Sequence, residues 1–359
     1  MSSPHIGIGL IGCGFIGRFH SIGIRSVIKR GLVQAEYRAV CDLDLDRAQS
    51  FADSASVPHV SSDWRDVIDS PDVDVVYVCV PTAGHKELVL RAAERGKHVF
   101  CEKPLATNLV DVEEMVAAVD RAGVHAGVGL ILRHSPILTA LKALTADPDL
   151  GRLMTIVFRD DQFFPIQGHY HSKWRKDRSV AGSGTLLEHS IHDIDALRWL
   201  AGEVSSVNGS VRNFAGHEGI EDLAIAHLEF ASGAQAQLTS VWHNVLARPS
   251  SRRLELFFEN GYFHIDNDFI GAIYLQTGAA VAEVVTEEQV LARYFELVGL
   301  DETVFGDVLR YSLEDYLFVD SIASGRKPFP DFAEALQAHR IVDAIYRSDA
   351  AGGDKIRLL

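Results

Sequence analysis

The chain has 359 residues, of which 47% are hydrophobic and 23% are charged, and this composition is typical of a globular protein with two domains. Its formal net charge is −15, and the absence of any basic run argues against nucleic acid or an anionic membrane surface as a partner. No apolar run reaches the ~18 residues that a membrane span needs. The first residues, MSSPHIGIGLIGCG, lack the basic lead of a signal peptide. We therefore expect a cytoplasmic protein.

The four cysteines are Cys13, Cys41, Cys79 and Cys101, and all of them lie in apolar, strand-like segments of the first third. None has the spacing of metal ligands. We interpret them as buried thiols of a protein in a reducing compartment.

Residues 1–130 alternate strand-like and helix-like patterns, which predicts a doubly wound parallel sheet. The strand-like segments are HIGIGLIG, AEYRAVCDLD, DVDVVYVCVP, HVFCEKP and HAGVGLIL. Helical patterns separate them and end at Gly31, Ala55, Gly96 and Ala122. The near-continuous apolar character of these strands is typical of a sheet that is covered on both faces.

The pattern changes after a linking helix at SPILTALKAL, because alternating strands then dominate the chain. We expect residues 131–359 to form a second α/β domain with a mostly antiparallel sheet that is covered on one face. One continuous helix is predicted at TLLEHSIHDIDALRWLAG, and two more at residues 311–325 and 332–348. Residues 281–310 have a helical pattern that we cannot place.

The segment GLIGCGFIG contains Gly12-x-Gly14-x-x-Gly17 between a strand and a helix, with Phe15 and Ile16 inside it. Glycines at this spacing permit a tight turn, a close approach of pyrophosphate and tight helix packing. The N–H groups of the helix N-terminus bind the phosphates. The alternative is a plain turn in which glycine serves steric needs alone.

The second predicted strand ends at Asp42, a position that suits a carboxylate bound to the 2′-hydroxyl of adenosine ribose. The carboxylate would repel a 2′-phosphate, and no arginine follows it immediately. We therefore expect NAD, with NADP the less favoured cofactor.

The segment HVFCEKP places Glu102, Lys103 and Pro104 at the end of a buried strand, where ligands of doubly wound sheets bind. Pro104 fixes the exit of the chain. Lys103 could polarise a substrate oxygen and stabilise alkoxide charge, with a pKa lowered by burial. The alternative is a surface lysine paired with Glu102.

A second group of polar residues lies in the predicted helix near residue 190. Glu188 and His192 are four residues apart, which places them on one helical face beside an apolar stripe. Histidine suits proton transfer at neutral pH, and the carboxylate could orient it or bind a hydroxyl. The alternative is a structural histidine.

The same region invites a metal interpretation, because histidines and acids cluster in it. No pair matches a recognised zinc spacing, and a nicotinamide enzyme with lysine and histidine needs no metal, so we expect none. The candidate ligands are His169, His171, Glu188, His189, His192 and Asp193.

Together these residues resemble the Gfo/Idh/MocA family, the glucose–fructose oxidoreductase and inositol dehydrogenase group. The matching segments are GLIGCGFIGRFH, AVCDLDLDRAQSFA, VPTAGHKELVLRAAERGKHVFCEKPLA, VGLILRHSP, WRKDRSVAGSGTLLEHSIHDID and FVDSIASGRKPFPDFAEALQAHRIVDAIYRS. The most specific of them is GKHVFCEKPLA. The resemblance extends over nearly the whole chain.

The resemblance implies an N-terminal Rossmann domain and hydride transfer between NAD(P) and a carbinol carbon. It also implies that the C-terminal α/β domain has a large open sheet, binds substrate and forms dimers or tetramers. Lys103 matches the family lysine and His192 the family histidine, whereas Glu188 stands where Asp is more usual. Ile131 stands where many members have a polar residue. The remaining matches line the cofactor or the substrate: Val80, Pro81, Thr82, His85, Glu102, Trp174, Arg175 and, as a weaker match, His243.

We therefore predict an NAD-dependent oxidoreductase that acts on a sugar, cyclitol or related polyol, with Lys103 as the polarising group and His192 as the acid/base. Two alternatives remain open. One is a hydrolase or lyase that uses tightly held NAD for a transient oxidation. The other is an NAD-binding protein without catalytic activity.

Overall fold

The computed structural model describes residues 5–309 and 312–358. The chain forms two compact units, of which the first runs to Leu130 and also includes Gly306–Leu336. The second comprises Ile131–Phe305 and the chain from Gln337 onward. From the sequence, all of residues 131–359 were assigned to one second domain; in the structure residues 306–336 lie in the first unit.

The first unit is built from alternating strands and helices. They are β1 Ile6–Ile11, α1 Phe15–Lys29, β2 Ala35–Cys41, α2 Leu45–Ala55, β3 His59–Ser61, α3 Trp64–Ile68, β4 Val75–Val78, α4 His85–Glu94, β5 His98–Cys101, α5 Leu109–Ala122 and β6 Ala126–Val128. All neighbouring strands are parallel, in the order β3-β2-β1-β4-β5-β6. This order confirms the predicted Rossmann sheet.

The apolar runs become strands because they lie between two layers of helices. Every residue of β1 and β4 is buried, as expected for central strands of a parallel sheet. The third strand was not predicted, because its three residues are too few to show a pattern. The sixth strand ends at Val128, and the predicted continuation forms a 3₁₀ helix at Ile131–His134 instead.

The second unit begins with a helix and then forms a second sheet. Its elements are α6 Pro136–Leu144, β7 Leu153–Phe163, α7 Arg178–Ala181, α8 Thr185–Glu188, α9 Ile191–Ala201, β8 Val204–Arg212, β9 Leu223–Phe230, β10 Gln235–His243, β11 Ser251–Phe258, β12 Gly261–Ile265, β13 Ile273–Thr277, β14 Glu283–Val285 and α10 Glu287–Val298. The chain continues through α11 Glu302–Leu309, α12 Glu314–Ala323, α13 Phe332–Ala350 and β15 Ile356–Arg357.

The strand order in the second sheet is β14-β13-β12-β11-β7-β10-β9-β8-β15. Among these described strands only β7 and β10 pair in parallel, so the prediction of an open, mostly antiparallel sheet is confirmed. Alternate residues of β9 and β10 are buried, and their inward side chains join α6, α9 and α13 in one core. The opposite face of these strands is more exposed.

The region that could not be placed, residues 281–310, contains β14, α10 and α11. Helix α10 starts with a capping box, because the Thr286 hydroxyl accepts from the Gln289 N–H and the Gln289 side chain accepts from the Thr286 N–H. The helix predicted at residues 311–325 is α12, and Tyr311 lies outside the described residues. None of the described helices is both long and apolar enough to span a membrane.

Candidate functional site

The glycine-rich turn after β1 has the geometry of a phosphate cradle. Gly12 has φ +103°, and a Cβ there would lie 2.4 Å from the Cys79 carbonyl oxygen. A Cβ at Gly17 would lie 2.0 Å from the Gly12 oxygen, so this residue lets α1 pack against the turn. A Cβ at Gly14, in contrast, would meet no heavy atom within 4 Å. The turn therefore leaves open space where a pyrophosphate would bind.

The electrostatics of α1 favour an anion at the same place. Gly14 is the N-cap, makes no side-chain capping hydrogen bond, and no acidic residue lies in the first turn. The backbone N–H groups at a helix N-terminus and the positive end of the helix dipole favour the binding of phosphate there. Phe15 is exposed and Ile16 half-buried at this end of the helix.

Asp42 follows β2 and connects two loops. One carboxylate oxygen accepts a 2.9 Å hydrogen bond from the Cys13 N–H, and the other accepts a 3.0 Å bond from the Asp44 N–H. Arg47, on the first turn of α2, lies 3.6 Å from this carboxylate. The sequence analysis missed Arg47, since only the helical turn brings it back to the strand end.

The exits of β4 and β5 are connected by His85, the first residue of α4. Its Nδ1 lies 2.9 Å from the Pro104 carbonyl oxygen and its Nε2 lies 2.8 Å from the Val80 oxygen. Pro81 and Thr82 lead into α4 through a short 3₁₀ helix. His85 is almost fully buried, so its side chain fixes the course of the two loops predicted to line the cofactor.

Glu102 and Lys103 leave β5 at the same edge of the sheet. The Lys103 N–H donates a 3.1 Å hydrogen bond to the Glu102 carboxylate, Lys103 is half-buried, and the Lys103–Pro104 peptide is cis. Because β1, β4 and β5 are adjacent and parallel, their carboxyl ends meet at this edge. The first unit thus assembles the glycine turn, Asp42, the residues after β4 and Lys103 along one sheet edge.

In the second unit, the single helix predicted around residue 190 is wrong, because the chain is interrupted at His189 and Ser190. Helix α8 ends at Glu188 and α9 begins at Ile191, so Glu188 and His192 lie on two short helices rather than on one helical face. The Ser190 N–H bonds to the Thr185 oxygen, five residues back. The Ser190 hydroxyl donates to Ser240 Oγ of β10 at 2.6 Å, which draws the interruption toward the sheet.

Glu188 is buried and pairs with Arg175 of the preceding loop. The Arg175 Nε donates to the Glu188 carboxylate at 3.1 Å, and the guanidinium lies 4.5 Å from the centre of the Trp174 ring. Trp174 in turn packs on a small apolar cluster that contains Phe164 and Trp242. Three of the predicted residues are therefore brought together in this unit.

His192 is buried at the start of α9, beside a buried ionic network that the sequence analysis did not predict. The Arg252 Nε donates to the Asp193 carboxylate at 2.7 Å, and another guanidinium nitrogen lies 3.4 Å from Asp160. His189 Nε2 lies 2.9 Å from Asp160, and Asp268 also pairs with Arg252. These contacts fix His189, just before α9, and Asp193, in its first turn.

Burial and neighbouring charges shift the pKa values of the residues in this network. Desolvation raises the pKa of Asp193 to about 7, although the Arg252 charge opposes the shift. Burial likewise raises the pKa of Asp160 against the same charge. Desolvation lowers the pKa of Arg252, but the surrounding carboxylates outweigh it and raise that pKa above its usual value.

His243, the weaker substrate-site candidate, belongs to a different cluster at the ends of β7 and β10. Its Nε2 lies 3.5 Å from the Asp161 carboxylate, which also accepts hydrogen bonds from Arg248. Among residues 5–309 and 312–358, no group of three or more His, Cys, Asp or Glu side chains is arranged to hold a metal ion.

Comparison with known proteins identifies the family to which the chain belongs. Residues 6–130 match the model of an oxidoreductase family with an NAD-binding Rossmann fold, and residues 138–264 match the GFO/IDH/MocA C-terminal domain. The myo-inositol 2-dehydrogenase of Thermotoga maritima is 32% identical over 267 residues, which cover 72% of this chain and 75% of the relative.

Two further matches extend over almost the full length. The levoglucosan dehydrogenase of Pseudarthrobacter phenanthrenivorans is 26% identical over 389 aligned positions, covering 96% of each chain. The structure of a levoglucosan dehydrogenase complex with NADH and levoglucosan matches with a TM-score of 0.86, at 25% identity, over 98% of this chain and 99% of that one. The predicted resemblance is confirmed: the chain belongs to the Gfo/Idh/MocA family of oxidoreductases and has its NAD-binding Rossmann fold.

Proposed function

We propose that the chain is an NAD-dependent dehydrogenase that transfers hydride between nicotinamide and a carbinol carbon of a sugar, cyclitol or related polyol. The observation that supports this most is the match to levoglucosan dehydrogenase across 96% of both chains. The match to myo-inositol 2-dehydrogenase at 32% identity supports the same substrate class. Both relatives are named for the oxidation of a hydroxyl on a compact polyhydroxylated ring.

The cofactor fits the described residues. The open space at Gly14, the uncapped N-terminus of α1 and the carboxylate of Asp42 suit the pyrophosphate and the ribose of NAD. When bound, NAD supplies the hydride acceptor.

The remaining chemistry is a proton transfer, which we assign to residues of this chain. His192 accepts the hydroxyl proton, and Lys103 stabilises the charge that develops on the oxygen as the C–H bond donates its hydride. Glu188, held by Arg175, binds a neighbouring hydroxyl beside Trp174. In the reverse direction His192 returns the proton to the carbonyl oxygen.

The test is turnover of the purified chain with NAD on a panel of levoglucosan, myo-inositol, scyllo-inositol and common hexoses, followed by the absorbance of NADH. We expect net NADH formation with at least one ring polyol. Cofactor retained through purification without net NADH would instead indicate a hydrolase or lyase with transient oxidation. NAD binding by calorimetry without turnover on any compound would indicate a non-catalytic protein.

We predict that Asp42→Ser shifts cofactor preference from NAD toward NADP. Loss of a hydrogen bond to a charged group is worth about 1.5–3 kcal/mol, so kcat/KM with NAD should fall by about 10- to 150-fold. With NADP it should rise, since the repelling carboxylate is gone and Arg47 remains to pair with a 2′-phosphate. Steady-state kinetics with both cofactors measure this, and the exposed Asp46→Ser is the matched control. An unchanged ratio of the two kcat/KM values would contradict the role of Asp42.

We infer further that the exposed face of the second sheet forms homodimers or homotetramers. Val157, Ile225, Phe257 and Tyr274 lie on this face and are each between 37% and 43% exposed, so large side chains that favour burial face outward along four strands. Light scattering should give a dimer or tetramer mass, and Val157→Lys with Ile225→Lys should lower it. Val110→Lys in the first unit is the control, and a monomeric wild type would contradict the inference.

We also infer a reducing, cytoplasmic location, which the thiols support. All four cysteines are free and buried. Burial, as the largest cause, raises the pKa of Cys13 and of Cys41 to about 12, so neither thiol forms a reactive thiolate at neutral pH.

A further inference from the structure

A buried histidine in the first unit connects Lys103 to the C-terminal part of the chain. His20, on α1, is 1% exposed. Its Nε2 lies 2.8 Å from Glu102 Oε1, and its Nδ1 lies 2.9 Å from Oδ1 of Asp315 on α12. A neutral imidazole has one N–H to donate, whereas a protonated one has two. Two carboxylates facing both ring nitrogens therefore select the doubly protonated ring.

The charges around His20 favour the same state. Desolvation lowers the pKa of His20, but Asp315 and Glu102 outweigh it and raise that pKa well above 6.5. The other titratable groups that face this cluster each have a pKa that burial raises above its usual value. They are Tyr37, Tyr77, Cys79 and Glu314.

Glu102 is kept ionised by the same arrangement. Burial raises the pKa of Glu102, but the hydrogen bond and charge of His20 and the charge of Lys103 oppose it, and the pKa ends below its usual value. Burial also raises the pKa of Asp315, against the charge and the hydrogen bond of His20.

Both oxygens of Glu102 are held. One faces His20, and the other accepts the Lys103 N–H at 3.1 Å. A Cβ at position 129 would lie 2.7 Å from Glu102 Oε1, so Gly129 leaves the room that this carboxylate occupies. Gly23 does the same for Asp315, whose oxygen would be 2.4 Å from a Cβ there.

The imidazole also packs against a cluster of aromatic rings. The Phe100 ring centre lies 5.0 Å from that of His20 in an edge-to-face arrangement, and Tyr77 stacks on Phe100 at 4.9 Å. Phe318 of α12 packs against Phe100 at 5.3 Å. The ring therefore has one orientation in which it meets both carboxylates.

We propose that His20, clamped between Glu102 and Asp315, is a positioning residue that fixes the Glu102 carboxylate against the backbone of Lys103 and so sets where the Lys103 ammonium meets the substrate oxygen. The proposal rests on the function proposed above for Lys103. In this proposal Asp315, which is distant in the sequence, anchors the histidine that positions Glu102 and Lys103.

A matched pair of neutral variants tests the link to Glu102. The amide nitrogen of His20→Gln can take the place of Nε2 and donate to Glu102, whereas that of His20→Asn reaches only the place of Nδ1 and Asp315. We expect His20→Asn to lower kcat by about 100-fold, since a small misplacement of a reacting group has that effect, and His20→Gln to stay within about 5-fold of wild type. The dissociation constant of NADH should be unchanged in both.

The outcomes separate positioning from a merely structural role. Wild-type kcat in folded His20→Asn would overturn the proposal, and so would equal kcat losses in the two variants. A loss confined to KM or to NADH affinity would also overturn it. Urea unfolding of both proteins accompanies the kinetics, because a structural role predicts equal destabilisation with kcat per folded molecule unchanged.

A second measurement does not depend on turnover or on folding of the variants. In a ¹⁵N-histidine spectrum of the wild-type holoenzyme, we expect one imidazole to keep both N–H protons at about pH 7.5, where free histidine has lost one. If no histidine stays doubly protonated, the proposal is wrong even if the enzyme turns over. If one does and no polyol is oxidised, the proposed function fails instead.

Discussion

Lys103→Met and His192→Ala are expected to lower kcat on the best panel substrate by about 10²- to 10⁴-fold each, while the affinity for NADH stays within a few-fold of wild type. Methionine keeps the apolar stem of Lys103 but removes the charge that stabilises the developing alkoxide. Alanine at residue 192 removes the group that accepts the hydroxyl proton. Stopped-flow measurement of NADH formation with saturating substrate isolates the chemical step.

Matched control variants distinguish the loss of a catalytic group from general effects of substitution on kcat. Lys29→Met removes an exposed lysine from the last turn of α1, and His227→Ala removes an outward-facing histidine of β9, so both should retain wild-type kcat. The double variant should lose little more than the worse single one, because the proposed mechanism has both groups act on the same hydroxyl. Wild-type kcat in either single variant would refute the assignment of that residue.

The cofactor turn was predictable because its constraints are local. Gly12 needs a positive φ and Gly17 needs contact with the preceding turn, and both requirements appear as a short motif between a strand and a helix. The position of Lys103 just beyond the end of β5 was predictable for a related reason, since the buried apolar strand before it is visible in the sequence. The capping box at Thr286 and Gln289 was also readable and would have placed α10.

Pairings between distant segments could not be predicted from the sequence. Helical spacing predicted one continuous helix through Glu188 and His192, but contacts of His189 with Asp160 and of Ser190 with Ser240 interrupt it. The assignment of residues 306–336 to the first unit is of the same kind, because Asp315 pairs with His20 across almost 300 residues. Isolated acids and histidines in apolar helices are the signal for such pairs, but they do not identify the partner.

Of the substitutions considered, Arg252→Met is expected to lower the free energy of unfolding most, by about 3–5 kcal/mol, because it leaves buried carboxylates without their cation. Asp160 and Asp193 are fully buried, and both face the Arg252 guanidinium. The neighbouring Arg253 points to the opposite face of β11, is 40% exposed and pairs with Glu255, so Arg253→Met should lower stability by less than about 1 kcal/mol. Urea unfolding compares the two variants, and equal losses would mean that the buried network contributes no more than a surface pair.

The pH dependence of the unfolding free energy provides a second, independent test of the Arg252 network. The folded-state pKa of Asp193, about 7, lies above its usual value of 3.8, so the folded chain binds more protons than the unfolded chain between those values. The contribution of Asp193 to stability is therefore greatest at low pH and is lost as the pH rises through 7. Without Arg252 the pKa of Asp193 rises further and the loss continues to higher pH. The difference between wild type and Arg252→Met should consequently widen as the pH rises above about 7. The difference between wild type and Arg253→Met should stay flat there, because the pKa of its partner Glu255 lies below the usual 4.5.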